Sequence, residues 1–300
     1  MNYLDFPDRP ANSVYRDLLR LILDTGELVG TQMEEPAWTV LGHQFRFQLE
    51  QGFPLITERD LALEGKRPVF HQAIGEVCAF MNGARTHGEL CEFGCRWWRP
   101  WVSKEKCAKR DLLPGDLGPG SYGPAWHDFP TSEGRPFNQI QHLVEQIREK
   151  PQLRTHFLSP WIPQYCGRGQ GKKQRVIVAP CHGWVHFRVL GDRLHLHHFQ
   201  RSADAPVGLP ANLIMYGAML LMMAQVTGYE PGSLIYTVSD LHVYERQLKA
   251  VEEMLATEPQ QLPTVTLDQD VTGIFDFRAE HFTLTDYHPQ QRRFRIDTPV

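Results

Sequence analysis

Apolar residues recur along the chain at two different periods, and the changes of period divide it into elements. Over residues 13–25, SVYRDLLRLILDT, Val14, Leu18, Leu21 and Ile22 fall at helical spacing, with Ser13 placed to cap the start and Gly26 to stop the run. From 37 to 57, AWTVLGHQFRFQLEQGFPLIT, apolar and polar residues alternate through Phe45, Phe47 and Leu49 until Gly52-Phe53-Pro54 breaks the pattern, which predicts a strand. A helix is predicted over about 69–82 with Val69, Ile74, Val77 and Phe80 inward and one carboxylate, Glu76, close to the apolar stripe. Residues 91–134 follow neither period and are rich in Trp, Gly and Pro, the composition of a loop region lying over a pocket.

Periodicity returns with a helix over 137–150 and then strands in LRTHFLSPW and RVIVAPCHGWVHFRVLGDRLHLHHFQRSAD, the last two joined across Leu190-Gly191-Asp192. Between them GRGQGKKQ reads as an exposed flexible loop. ANLIMYGAMLLMMAQVTG is apolar on nearly all sides, so it is expected to be a buried central helix ending at Gly228. A strand around 234–238, a polar helix from about 240 to 256 and short strands complete the chain. With no internal repeat, low-complexity tract or linker, the pattern predicts a single α/β domain over 1–300.

Composition narrows the functional classes. The 300 residues are 42% hydrophobic and 22% charged, enough for one large core, and a net charge of -4 with a pI near 6.4 gives no basic footprint for nucleic acid. Local basic runs remain able to bind small phosphates. No apolar run reaches the ~18 residues of a membrane span, and the start, MNYLDFPDRPANSVYRDLL, has neither a basic n-region nor an apolar h-region, so a cytoplasmic protein without a membrane partner is expected. The six cysteines are read as reduced thiols. Cys91, Cys95 and Cys107 near His87 invite a zinc reading, but their spacing is not that of a structural zinc site, and no metal is expected.

Four clusters are candidates for chemistry. Cys181, at the head of a strand, is either a buried thiol or a nucleophile; a nucleophile needs a nearby cation or donor to form thiolate, and Arg201 on the partner strand of the hairpin is placed to supply one and to grip a phosphate. QRSAD, 200–204, packs an amide, a guanidinium, a hydroxyl and a carboxylate into five positions, a solvated turn or a site. Asn212, at the threshold of the apolar helix, is either an N-cap or an amide offered to a flat heterocycle such as uracil. His242 and Tyr244 are two apart, so in an extended segment they point the same way.

Together these pieces are similar to the thymidylate synthase superfamily. APCH at 179–182, QRSAD at 200–204, GLPAN at 208–212 and HVY at 242–244 carry the likeness, extended by LGHQFRFQLEQGFPLIT, Glu76, GDLGPGSYG with Tyr122, and IFDF at 274–277, so that it covers most of the chain, and RIDTPV ends at about the family's length. The resemblance implies a folate-dependent enzyme that adds one carbon to C5 of a pyrimidine nucleoside monophosphate, on a large mixed or antiparallel sheet flanked by helices. It implies that Cys181 attacks C6, with Glu76, Asp204 and Tyr122 as further catalytic groups; that Arg201 and Ser202 hold the phosphate, His242 and Tyr244 the sugar hydroxyl and Asn212 the base edge; and that Trp98, Trp101 and Asp204 line the site for 5,10-methylenetetrahydrofolate. A homodimer is implied as well, with Arg154 of one subunit completing the phosphate site of the other.

Departures from the family narrow this further. The stretch TQMEEPAWTV carries no arginine where the family has one, the usual arginine pair is reduced to Arg154-Thr155, and Glu58-Arg59 stands where synthases have Lys-Arg. Thr155 and the loop 167–175 are open as replacement phosphate ligands. LHVYER resembles the hydroxymethylase branch, in which water, not hydride, captures the exocyclic methylene. Asn212, where cytosine-using members tend to have Asp, favours uracil, and Ala211 replaces a bulky aromatic. The expectation is hydroxymethylation of dUMP; a thymidylate synthase, a (d)CMP hydroxymethylase and a silent nucleotide-binding module are the alternatives, and a Cys181-His182 hydrolase is disfavoured because strand neighbours face opposite sides.

Overall fold

A computed structural model describes residues 2–63, 68–292 and 296–298, so that positions 295, 299 and 300 of the C-terminal RIDTPV lie outside the described residues. The order is α1 (Val14–Thr25), β1 (Glu27–Val29), β2 (Ala37–Gln48), α2 (Val69–Met81), α3 (His87–Glu92), α4 (Lys104–Ala108), α5 (Tyr122–His127), α6 (Gln139–Glu149), β3 (Phe157–Leu158), α7 (Pro163–Cys166), β4 (His182–Leu190), β5 (Arg193–Asp204), α8 (Gly208–Thr227), β6 (Glu230–Tyr244), α9 (Leu248–Leu255), β7 (Thr264–Leu267) and β8 (Phe282–Thr285). A six-stranded sheet runs β1-β2-β6-β5-β4-β3, and β7 and β8 form a separate pair. Only the β5–β6 pairing within the large sheet is parallel, because α8 carries the chain back across the sheet between those two strands; the other four pairings are antiparallel.

Alternation explains how this sheet is covered. Leu194, Leu196, His198 and Gln200 of β5 and Leu234, Tyr236 and Val238 of β6 are buried beneath α8, whereas His195, His197, Phe199, Ile235 and Thr237 lie half-exposed on the other face. α8 is buried all round and packs on both the sheet and α2; it ends where Gly228 takes a left-handed φ of 79° and returns its N–H to Ala224 and Gln225. By length and composition α8 is apolar enough to cross a membrane, contrary to the expectation that no run reaches that length, but 83% of that window is buried inside the domain, which makes it a core helix here.

Several expectations need correction. Ser13 stands at the N-cap position of α1 but its hydroxyl bonds Asp17 Oδ2 at 2.6 Å and caps no backbone N–H. The tryptophan-rich stretch 91–134 is not continuous loop, since α4 and α5 interrupt it. Residues 175–180, read as strand, are irregular with a bend at 176–178, and β4 starts only at His182. The strand expected around 234–238 is fifteen residues long, and it takes in 240–244, which were assigned to the following helix; that helix starts at Leu248 after a single 3-10 turn. The register with β2, Ala37 against Tyr244 through Gln48 against Ser233, outweighs the polar helical pattern there.

α5 is fixed in place by a backbone contact. A Cβ on Gly123 would stand 2.0 Å from the Ala84 carbonyl oxygen, so only glycine lets α5, and Tyr122 with it, approach this closely. Gly123→Ala is expected to destabilise the fold by about 1–3 kcal/mol through overpacking, whereas Gly30→Ala, with nothing within 4 Å of the new methyl, is expected to be near neutral. Urea unfolding of both variants beside the parent checks this.

Candidate active site

β4 starts at His182 opposite Gln200 of β5, and this places Cys181, one residue earlier, opposite Arg201. The Arg201 backbone N–H donates to the Cys181 carbonyl at 2.9 Å, continuing the ladder one pair past the strand. The guanidinium folds back on the same segment: Nε donates to Pro180 O and Nη2 to Ala179 O, both at 2.8 Å, and Nη2 stands 3.3 Å from Cys181 Sγ. Tyr122 holds the other side, its hydroxyl oxygen accepting from Cys181 N at 2.7 Å and His182 N at 3.4 Å. Burial raises the Cys181 thiol above its usual value; Arg201 pulls it down as expected from sequence, but burial outweighs this, and Asp240 adds to the upward push.

A cavity of about 1130 Å³ opens above the sulfur, bounded by α2, the tryptophan segment, the start of α8 and the ends of β4 and β5. Cys181, Ser202, Asp204, Asn212, Glu76, Tyr122, Trp98 and Trp101 all line it, so the structure gathers eight residues that sequence reasoning placed in one site. Asn212 lies inside the first turns of α8, which begins at Gly208, and is therefore not an N-cap. QRSAD is the end of β5, not a solvated turn.

Asn212 belongs to a hydrogen-bond chain with a fixed direction. The Tyr236 hydroxyl donates to Gln200 Oε1; Gln200 Nε2 donates to Ser202 O at 2.9 Å and to Asn212 Oδ1 at 3.0 Å; Asn212 Nδ2 stands 3.0 Å from His182 Nε2. Ser202 O only accepts, so it sets the Gln200 amide, and Gln200 in turn sets Asn212 with Nδ2 toward His182 Nε2 and, at 3.7 Å, Met215 Sδ. His182 is pushed down to about 3 by burial and by Arg201, so it is neutral and accepts through Nε2. It partners Asn212 and is not a base for the sulfur, which removes the hydrolase reading.

Glu76 sits in the middle of α2 with one oxygen, Oε1, accepting from both Trp97 Nε1, at 2.9 Å, and Trp98 Nε1. Burial drives it up to about 7, against the lowering effect of the two indoles. Asp204 is also raised by burial, opposed by Gln247 Nε2 at 3.0 Å on Oδ2; Val207 N caps Oδ1 at 2.9 Å. Trp101 has Lys106 over its ring at 5.1 Å.

Four expected residues do not line the cavity. Arg201 lies beneath the sulfur, as described; His242 and Tyr244 stand together at the end of β6, His242 Nδ1 bonded to Asp240 Oδ1 at 2.6 Å and its ring 5.0 Å from that of Tyr244; Arg154 is exposed on the approach to the edge strand β3. Extension of β6 to Tyr244 gives His242 and Tyr244 the common face their spacing predicted. Glu58 and Arg59 are both buried, Arg59 Nη2 donating to Pro206 O at 2.8 Å, and Arg59 reaches the cavity wall. Sequence reasoning gave no role to Gln200, Tyr236 or Trp97. For Gln200 and Tyr236 a signal existed, since strand parity puts both on the buried face; for Trp97 none did.

The described residues thus form a mixed α/β protein with a thiol, an arginine and a fixed amide at one end of its sheet, under a cavity walled by tryptophan. A family model described as thymidylate synthase matches residues 13–297, nearly the whole chain, and the chain belongs to that family. Membership implies a one-carbon transferase working with a folate at C5 of a pyrimidine nucleotide.

Glu76 makes a pH prediction. Below its ordinary value of 4.5 both folded and unfolded chains hold the proton; between 4.5 and about 7 the unfolded chain has released it and the folded one has not, so stability falls as pH rises through that window. Glu76→Gln keeps an acceptor for the indoles and removes this slope. Relative to the parent it is expected to gain on the order of 2–3 kcal/mol between pH 5 and pH 8, read from urea unfolding at the two values.

Proposed function

We propose that this protein is a C5 hydroxymethyltransferase acting on dUMP, with 5,10-methylenetetrahydrofolate as carbon donor and 5-hydroxymethyl-dUMP as product. The observation that carries the nucleotide half of this reading is Arg201 Nη2 at 3.3 Å from Cys181 Sγ, on the floor of a cavity that also presents Asn212. At about 1130 Å³ that cavity exceeds the ~300–1,000 Å³ usual for a single small ligand, which leaves room for a nucleotide and a folate together.

In this reading Cys181, once deprotonated, forms a bond to C6 while the C5–C6 electron pair moves toward O4, and C5 becomes a carbon nucleophile. Asn212 has Oδ1 taken by Gln200, and its Nδ2 stands near His182 Nε2 and, at 3.7 Å, near Met215 Sδ; the weak sulfur contact is the one that yields an N–H to O4 of uracil, where the amine of cytosine would meet a donor. Glu76, raised by burial to about 7, is poised to take up and give back a proton near neutral pH and relays it through water. Arg201 and Ser202 hold the phosphate and His242 and Tyr244 the sugar hydroxyl. The flat apolar walls of Trp98 and Trp101, with the Asp204 carboxylate beside them, fit the folate, which when bound supplies a carbon at the oxidation level of formaldehyde. A cytoplasmic homodimer completes the reading: the half-exposed sheet face with Phe157 and Phe199 stacked on either side of Trp184 would be covered, and Arg154 would reach the partner's phosphate site.

The hydroxymethyl product is preferred because LHVYER resembles that branch of the family, while the loss of the arginine from stretch 31–40 favours a specialised relative over a housekeeping synthase. A second reading, thymidylate synthase, is favoured by Trp98 and Trp101 on the cavity wall, which shield an intermediate from water. Incubation with dUMP and the folate separates them: a product heavier by a hydroxymethyl group supports the proposal, and a methyl product with dihydrofolate overturns it. UMP, dCMP and CMP in parallel test base and sugar. Cys181→Ala is expected to reduce tritium release from C5-labelled dUMP to background; no release from the parent would leave only a silent nucleotide-binding module.

A further inference from the structure

Arg201 has most of its donors committed. Nε and Nη2 are taken by the carbonyls of Pro180 and Ala179 and by the sulfur, which leaves chiefly Nη1 for a ligand. A phosphate dianion presents three peripheral oxygens and calls for more than that. TQMEEPAWTV, at 31–40, brings no Lys or Arg of its own.

Topology places a further cation at this end of the sheet. The strands β2, β6, β5 and β4 lie side by side, and one end gathers the start of β2, the end of β6 with His242 and Tyr244, the end of β5 with Ser202, and the start of β4 next to Cys181. Arg168 belongs to the chain leading into β4 and Gln32 to the chain leading into β2, yet Arg168 Nη1 donates to Gln32 Oε1 at 3.1 Å. Three strand spacings, about 14 Å, separate β2 from β4. The contact therefore joins the two segments that lead into β2 and β4 at the end of the sheet where β5 and β6, with Ser202 and His242, also finish. Cys166, two residues before Arg168, is within reach of the Arg201 charge, which pulls its thiol down against burial.

Arg168 is also differently held from its neighbours. Its Nε donates to Gln174 Oε1, so both of its side-chain acceptors are neutral amides, and among the described residues no carboxylate pairs with it. Lys173, in the same loop, is 2.5 Å from Asp111 Oδ1, and Arg85 is 2.7 Å from Asp116 Oδ2. A guanidinium set by two uncharged acceptors is oriented while its charge is left for an incoming anion.

We propose that Arg168 binds the 5′-phosphate of the nucleotide together with Arg201 and Ser202, oriented for that purpose by Gln32 and Gln174. The inference rests on the nucleotide reading above and adds a residue of this chain's own to its phosphate subsite. The test compares binding of dUMP, of deoxyuridine, which lacks the phosphate, and of inorganic phosphate as competitor. Arg168→Gln is expected to weaken dUMP binding by about 10- to 100-fold, to leave deoxyuridine unchanged and to abolish competition by phosphate; Arg168→Lys recovers part of the loss. Lys173→Gln, which removes a paired cation of the same loop, is expected to stay within about twofold of the parent, as a contact outside the subsite should. An Arg168→Gln protein that binds dUMP as the parent does, or that loses dUMP and deoxyuridine alike, overturns the proposal. A parent that binds no pyrimidine monophosphate overturns the nucleotide reading itself, and this proposal with it.

Discussion

The site depends on how one tripeptide, Ala179-Pro180-Cys181, is tied to the end of β5. It precedes β4 and has no ladder of its own, yet Arg201 supplies a backbone N–H to Cys181 O and guanidinium bonds to the carbonyls of Ala179 and Pro180, while the Tyr122 hydroxyl takes the Cys181 N–H from the other side. Four bonds to main-chain groups leave the sulfur little positional freedom. The Arg201 guanidinium, which makes two of these bonds, also stands 3.3 Å from that sulfur, so the arrangement that fixes the Cys181 backbone is the one that acts on the ionisation of its thiol.

Behind this anchor the buried polar groups follow the same logic of direction. Ser202 O and the Tyr236 hydroxyl grip opposite ends of the Gln200 amide, and Gln200 passes that orientation to Asn212. Any single member reversed would face donor to donor or acceptor to acceptor in a dry environment, which costs more than a bond in water returns. The cavity therefore meets a ligand with an amide whose polarity is decided two residues away, inside the core beneath α8.

How much of this was legible follows from what each residue type reveals. β2, the end of α8 at Gly228 and the β4–β5 hairpin were readable because burial of one face imposes its period on the sequence. Cys181, Arg201, Asn212 and Glu76 were readable because polar groups in apolar surroundings stand out. What stayed hidden was set by distant partners: the extension of β6 to Tyr244 is dictated by pairing with β2, the bend at 176–178 by contact with the segment around Leu117, and the roles of Gln200 and Trp97 by side chains far away in sequence. Arg168 is the extreme case, since nothing in GRGQGKKQ distinguishes it from the three other cations of 167–175; only its contact with Gln32 does.

Charge in the cavity follows from burial. Enclosure raises Cys181, Glu76 and Asp204 and lowers His182, so each of the four is shifted toward its neutral form. Two guanidinium groups share these surroundings, Arg59 on the cavity wall and Arg201 beneath the sulfur. The low-dielectric walls of such a site strengthen the interaction of any charge that remains in it. In the proposed reading a phosphate bound beside Arg201 brings negative charge close to Cys181 and opposes ionisation of its thiol. On that reading the sulfur loses its proton against both burial and the ligand's charge, so further donors on the phosphate, by drawing its charge away from the sulfur, would favour the thiolate as well as the binding.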